Sequence, residues 1–402
     1  MAAPLDPRTG TPVVAMVGGG QLSRMTHQAA IALGQSLRVL ASDPAESAAL
    51  VAGDVRLGSH ADLDDLTAFA QGATVVTFDH EHVPTEHLRS LQAAGVRVAP
   101  GPDALVHAQD KLVLRRALAD AGEPQPAWAQ VDSPGDVAAF AAAHGWPVVL
   151  KTPRGGYDGR GVFVVGDEEA AGALLEQHGA LLVEERVAMV RELSAQVARS
   201  PFGQVAVYPV VETVQRDGVC NEALVPAPDL DPELATQAQE LAVRVADRLG
   251  VVGMLAVELF QTADGVLVNE LAMRPHNSGH WSIDGAVTSQ FEQHLRAVLD
   301  YPLGSTAMTA PVVVMANVLG GEAAEDHWAG PPLDERIHHF MAHWPDVKLH
   351  WYGKGQRRGR KLGHVTALGA DLAEVRARAV AAARYLADGV VDPAFVFEEE
   401  HH

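Results

Sequence analysis

Two carboxylates, Glu258 and Glu270, flank an Ala-Asp-Gly turn in MLAVELFQTADGVLVNEL (254–271). Alternating apolar residues on both arms predict a β-hairpin. If Phe260 faces Val268, then Glu258 faces Glu270 on the same side of the sheet. Like charges directly opposite destabilise a ladder by up to about 1 kcal/mol unless something neutralises them. Mg²⁺, with Mn²⁺ as a substitute, is a suitable neutraliser, being a hard cation that takes one or two carboxylates and fills its shell with phosphate oxygens. Asn269 beside Glu270 offers a further oxygen. A solvated acidic face in a slipped register is the alternative.

Four glycines, Gly155, Gly156, Gly159 and Gly161, fall within LKTPRGGYDGRGVFVV (150–165). They lie between two strands, not between strand and helix, which excludes a Walker loop. A hairpin flap whose consecutive N–H groups cradle phosphate oxygens fits this placement, against an ordinary surface hairpin. Lys151 on the preceding strand adds a cation, and Arg154, Asp158 and Arg160 add charges to the loop. AMRPHNSGHWS (272–282) crowds Arg274, His276, Asn277, Ser278 and His280 together, as a binding loop or a well-bonded turn. WYGKGQRRGRKLGH (351–364) gathers Lys354, Arg357, Arg358, Arg360 and Lys361. In a chain of net charge −21 this favours anion capture over a merely solvated loop.

Weaker signals stay open. VVAMVGGGQLSRM (13–25) begins like G-x-G-x-x-G, with Asp43 after the next strand, but Ser23 stands at the third glycine position. It reads as a strand-to-helix turn or as a helix N-terminus that holds phosphate, so an oxidoreductase is one possibility. DHEHVPTEH (79–87) lacks HExxH spacing and is not read as a zinc site; Cys220 belongs to no motif.

The elements that position these residues follow from pattern. From Val13 to Ala99, VVAMV, LRVLA, TVVTF and VRVA alternate with helical stretches such as Asp62 to Gln71, predicting a parallel sheet covered on both faces. One helix is expected from Asp103 to Ala121, then strands around the glycine loop and LLVEE, alternating strands from Arg191 to Pro226, and a long helix from Asp231 to Leu249. Strands, the basic stretch and a last helix near Asp371 to Ala387 follow. The fold class is α/β with α+β parts, in three domains: 1–106, 107–300 (lobes 107–183 and 184–300) and 301–402. The 51 acidic against 30 basic residues repel nucleic acid and anionic membrane, and no apolar run reaches the about 18 residues of a membrane span. With one cysteine and no signal-peptide core at MAAPLDPRTG, a cytoplasmic protein is expected. The closing EEEHH carries no weight.

Together GGYDGRG (155–161), RPHNSGHW (274–281) and YGK…GRKLGH (352–364), supported by GGGQL and TFDHEHV, resemble the ATP-grasp superfamily. Within it they are most similar to the 5-(carboxyamino)imidazole ribonucleotide synthase family, over about Val13 to Thr366. The resemblance implies a Rossmann-like N-terminal sheet, a two-lobed ATP clamp and a small β-rich C-terminal domain. It implies ATP- and bicarbonate-dependent N-carboxylation of 5-aminoimidazole ribonucleotide through carboxyphosphate, in purine biosynthesis, without biotin, by a homodimer. By this carry-over, Lys111 and Lys151 contact ATP, and 155–161 (Gly155, Gly156, Tyr157, Asp158, Gly159, Arg160, Gly161) cover its phosphates. Glu184, Glu185, Arg186 and Val187 read adenine, Glu192 the ribose, with Glu212 near the nucleotide where relatives can have His. Glu258 and Glu270 hold metal beside Asn269. The ribonucleotide lies among Gln21, Leu22, Ser47, Glu81, Tyr157, Asp158, Arg160, His276, Asn277, Lys354, Arg360 and Lys361. Asp158, with Arg160, orients or deprotonates the amine; Arg274 stabilises the acyl phosphate, and Lys151 the transferring phosphoryl group. Arg358 departs from a frequent proline. Another ATP-grasp ligase, a dehydrogenase and a non-catalytic nucleotide sensor are the rivals.

Overall fold

The computed structural model describes residues 5–156, 159–216, 218–321 and 330–389; Tyr157, Asp158 and the closing EEEHH lie outside them. The wholly buried Val13–Val17 (β1) passes through the glycine turn into Gln21–Ala32 (α1). Ser36–Ala41 (β2), Asp54–Leu57 (β3) and Val75–Phe78 (β4) complete a parallel sheet of order β3-β2-β1-β4. Leu63–Ala70 (α2), capped by the Asp62 carboxylate, and Thr85–Ala93 (α3) accompany it. VRVA does not form the expected strand; Val98 makes a lone bridge to Val76.

The stretch expected as one helix is two, Pro102–Gln109 (α4) and Lys111–Ala121 (α5). Asp110 breaks it: its backbone is extended and its carboxylate accepts from the N–H groups of Leu112 and Val113, starting a new helix. The break places Lys111 at the first position of α5, with its own N–H on the Pro153 carbonyl at the root of the glycine loop (2.9 Å).

Trp128–Val131 (β5), Pro134–His144 (α6), Val148–Lys151 (β6), Val162–Val165 (β7), Glu168–His178 (α7) and Leu181–Glu185 (β8) form the lid lobe. Its antiparallel sheet runs β5-β8-β6-β7, and Val137, Ala141 and Leu175 from the two helices pack on it.

The remaining strands are Arg191–Arg199 (β9), Val205–Val207 (β10), Val211–Arg216 (β11), Val219–Val225 (β12), Gly253–Gln261 (β13), Val266–Ala272 (β14), Val312–Leu319 (β15), Lys348–Trp351 (β16) and Lys361–Gly369 (β17). Among the described residues they make one sheet, β14-β13-β9-β11-β12-β15-β17-β16 with β10 on β9. The C-terminal strands therefore extend the core lobe through β12 and β15 and do not stand apart. Pro232–Arg248 (α8), Ser282–Gly285 (α9), Gln290–Leu299 (α10), Leu333–His343 (α11) and Leu372–Asp388 (α12) cover it. Val17 and Phe78 of the first sheet share a core with Leu255 and Val257 of β13, so the N-terminal sheet and core lobe pack as one block.

Candidate active site

A cleft of about 1780 Å³ runs between these parts. At its centre, Glu258 and Glu270 are paired across β13 and β14, but not by the register expected from sequence. Phe260 pairs with Leu267 and Leu259 with Val268; a β-bulge then sets Asn269 and Glu270 both opposite Glu258. The bulge reverses the alternation of β14. Val268 before it and Leu271 after it both reach the core, while Asn269 and Glu270 reach the cleft. Without it, strict alternation would send Glu270 to the same face as Val268.

The electrostatics follow from that pairing. Burial pushes Glu258 up, but the hydrogen bond from His276, with the charges of Lys361 and Arg274, carries it below the ordinary range. Burial and the charge of Glu258 push Glu270 up. Glu192, on the adjoining β9, is pushed up to about 7 by burial and by both glutamates. This concentration of carboxylates suits a divalent cation, and Glu258 and Glu270 together would offer it two carboxylates.

Beside the acids stands Lys151, with Nζ 2.7 Å from Glu184 Oε2 and 3.0 Å from Asn269 Oδ1. Glu184 also accepts from Arg115 Nε at 2.6 Å, and Arg115 reaches the carbonyls of Val268 and Asn269, holding the bulge. Burial opposes the Glu184 charge, and these two cations outweigh it. The Glu184 side chain thus positions Lys151, and that of Glu185 accepts from the Ala127 N–H (2.8 Å). Arg186 and Val187 line the cleft together with the exposed apolar side chains of Val162, Val164 and Met189, a slot suited to a flat ring.

Gly155, Gly156 and Gly159 line the cleft above. Their glycine requirement is internal. Gly155, Gly159 and Gly161 have φ of +80°, +75° and +72°, and a Cβ on Gly156 would meet the Arg160 carbonyl at 2.6 Å. Arg160 itself is exposed and is not among the residues that line the cleft. Gly161 sits at the loop root, its carbonyl accepting from Thr152 N–H. Arg154 pairs with Asp110 (2.8 Å). Tyr157 and Asp158 are outside the described residues.

The far end of the cleft collects Gln21, Leu22, Ser47, Glu81, Arg274, Lys354, Arg360 and Lys361. Arg357 and Arg358 of the same basic stretch do not line it. Lys354 donates to Gln21 Oε1. Burial first, then Arg360, Lys361 and Arg357, pull Lys354 down to about 8 against the attraction of Asp79. Arg274 donates to Glu81 at 2.8 Å; burial opposes its charge, but Glu81, Asp79 and Glu258 hold it ionised. Two side chains read as substrate contacts are already engaged. The Ser47 hydroxyl donates to the Tyr352 carbonyl (2.5 Å), and Asn277 exchanges amide hydrogen bonds with Asn317 (3.0 and 2.7 Å).

Glu212 is not on the cleft wall. Alternation along β11 turns Thr213 and Gln215 to the cleft and Glu212 away, to a 2.8 Å pair with Arg191. The GGGQL turn resolves as a turn whose helix end faces acids. A Cβ on Gly19 would meet the Glu46 carboxylate at 2.1 Å, and one on Gly20 that of Asp79 at 2.3 Å. Buried Asp79, pushed up to about 6, stands where a phosphate on the dipole of α1 would sit.

Arg115 and Asp79 escaped the sequence reading. Arg115 had a signal: it lies in the buried stripe of α5 with Leu112, Leu114 and Leu118, where a cation needs a buried acid. Asp79 had only its place at the end of a β-strand, opposite the glycine turn. His60, His80 and His82 also line the cleft, with His60 and His80 rings 4.5 Å apart.

Comparison with known proteins agrees along the chain. A ribonucleotide synthetase preATP-grasp domain matches residues 12–109, an ATP-grasp domain 116–291, and a phosphoribosylaminoimidazole carboxylase C-terminal domain 313–378. The chain is 59% identical to N5-carboxyaminoimidazole ribonucleotide synthase of Mycobacterium tuberculosis strain H37Rv, over 94% of this chain and 88% of that one. It is similar to the solved Thermus thermophilus synthetase (TM-score 0.82, 36% identity, 94% and 99% covered). It is also similar to the Aspergillus clavatus synthase solved with ADP and 5-aminoimidazole ribonucleotide (TM-score 0.83, 28% identity, 93% and 98% covered). The chain belongs to the N5-carboxyaminoimidazole ribonucleotide synthase family of ATP-grasp ligases.

Proposed function

We propose that this chain is the ADP-forming carbon–nitrogen ligase that carboxylates the exocyclic amine of 5-aminoimidazole ribonucleotide in purine biosynthesis, using ATP and bicarbonate. One observation carries the reading: the opposed Glu258 and Glu270 lie in a single cleft with Lys111, Lys151 and the glycine loop at one end and Lys354, Arg360 and Lys361 at the other. A nucleoside triphosphate and a ribonucleotide phosphate need separate cationic ends around one acidic centre. The relative solved with ADP and 5-aminoimidazole ribonucleotide supports the same pairing of ligands.

Glu258 and Glu270 would hold Mg²⁺, which when bound offsets charge on the phosphoryl oxygens. Lys151, fixed between Glu184 and Asn269, is preorganised to stabilise the γ-phosphoryl group as it moves to bicarbonate, giving carboxyphosphate and ADP. Arg274, held by Glu81, would stabilise the acyl phosphate. The amine of the ribonucleotide then attacks the carboxyl carbon, the bond to phosphate breaks with release of inorganic phosphate, and the nitrogen gives up a proton. Carboxyphosphate reacts readily with water, so closure of the glycine loop has a chemical purpose. Within that loop we retain Asp158 as the group that orients or deprotonates the amine. A cytoplasmic homodimer is part of the same proposal, and sedimentation of the purified chain checks its stoichiometry.

Phosphate release with ATP and Mg²⁺, leaving out bicarbonate or ribonucleotide in turn, tests the reading. Release should be fast only in the complete mixture. Equal release with formate in place of bicarbonate would reassign the chain to a transformylase.

A further inference from the structure

Beneath the acidic pair lies a buried polar cluster that the proposed mechanism does not use. His276 Nε2 stands 3.1 Å from Glu258 Oε1. On the other side of the ring, His276 Nδ1 is 2.8 Å from the hydroxyl of Ser278, and the Ser278 backbone N–H also points at it (3.4 Å), capping the short 3-10 turn Asn277–Gly279. A backbone N–H only donates, so Nδ1 is set up as an acceptor. The hydroxyl agrees. Ser278 Oγ takes a hydrogen bond from Gln196 Nε2 (2.8 Å) and has Ser194 Oγ at 2.8 Å. Gln196 fills one lone pair of Oγ. Because Nδ1 already accepts from the Ser278 N–H, the 2.8 Å contact to it is made by the Ser278 hydroxyl proton, which leaves Ser194 to donate into the other lone pair. Ser194, Gln196 and Ser278 are all at most 1% exposed, so no bulk water competes. The ring backbone is clamped too: Gln290, fully buried, accepts from His276 N–H and donates to its carbonyl (2.9 and 2.7 Å).

We infer that Ser278, backed by Gln196 and Ser194, is a positioning residue that locks His276 with its proton on Nε2, so that the ring donates to Glu258 and is withheld as a ligand from the cation. An imidazole with a free Nε2 lone pair beside two carboxylates would add a nitrogen ligand and draw zinc-like ions. The lock leaves His276 as an outer partner that orients Glu258 and keeps the centre all-oxygen, which suits Mg²⁺. This rests on the proposed function for its consequence, but its geometry does not depend on metal.

The test is ¹⁵N NMR of histidine-labelled, metal-free protein at alkaline pH, with His276 assigned by its absence in His276→Asn. The expected spectrum has a protonated Nε2 and a lone pair on Nδ1. A proton on Nδ1, in the other tautomer or in an imidazolium, overturns the inference. Ser278→Ala should reduce the bias toward Nε2–H by about fivefold, the worth of one net hydrogen bond. An unchanged spectrum in folded Ser278→Ala also overturns it; if that variant does not fold, the native spectrum alone decides. Failure of the proposed function would show instead as absent phosphate release with the tautomer intact.

Discussion

Glu270 faces Glu258 across β13 and β14, and burial with the charge of Glu258 pushes its carboxyl up. Glu270→Gln removes the charge without changing shape, so the metal-free variant should melt no lower than the parent while turnover falls by at least about 100-fold. Normal turnover would remove the metal assignment. Glu192 gives a pH signature. Its folded value of about 7 exceeds the ordinary 4.5, so the folded chain binds that proton more tightly than the unfolded one. The stability it contributes is complete below about pH 4.5 and is lost as pH rises through about 7. Metal-free melting temperature should fall across that window, and Glu192→Gln should flatten the fall. At the opposite end, Lys354→Ala should raise KM for the ribonucleotide by about 10- to 100-fold, the range of a charge-assisted hydrogen bond, and leave KM for ATP nearly unchanged. If the ATP constant moves instead, the basic stretch does not hold the ribonucleotide phosphate.

At the scale of elements, the bulge in β14 separates two functions that sequence runs together. Deleting Asn269 would leave a regular ladder in which Glu270 still follows Val268 into the place opposite Glu258. Cation binding, read with Mn²⁺, should survive. The side-chain oxygen on Lys151 and one carbonyl on Arg115 would be lost, so KM for ATP should rise by about tenfold. Loss of Mn²⁺ binding with ATP affinity intact would show that the bulge serves the carboxylates and not the lysine. The break between α4 and α5 acts similarly, because Asp110 caps α5 with one oxygen and holds Arg154 with the other.

Across the whole molecule, the end of the cleft with Lys354, Arg360 and Lys361 is assembled from both ends of the chain. Tyr352 holds it together: its carbonyl receives Ser47, and its buried hydroxyl is 2.7 Å from His364 Nδ1. Tyr352→Phe leaves a buried imidazole nitrogen unpaired, at a cost of about 1–3 kcal/mol. Calorimetry should show a melting temperature lower by several degrees, with KM for the ribonucleotide raised more than KM for ATP. Equal effects on both substrates would argue for a general loosening.

Sequence by itself determined the class of the fold, the hairpin that carries Glu258 and Glu270, the strand-flanked glycine loop and the basic stretch with Lys354, Arg360 and Lys361. Each is a local pattern of period, turn or charge, written in neighbouring residues. Tertiary structure alone decided the rest. A one-residue bulge is invisible to periodicity, so Glu270 faced Glu258 for a reason other than the one its spacing suggested. Which polar side chains are already engaged depends on residues far away in the chain: Asn317 for Asn277, Tyr352 for Ser47, Arg191 for Glu212, Asp79 for the glycine turn. A side chain's chemistry is legible in one letter, but its availability is set by what the fold brings against it.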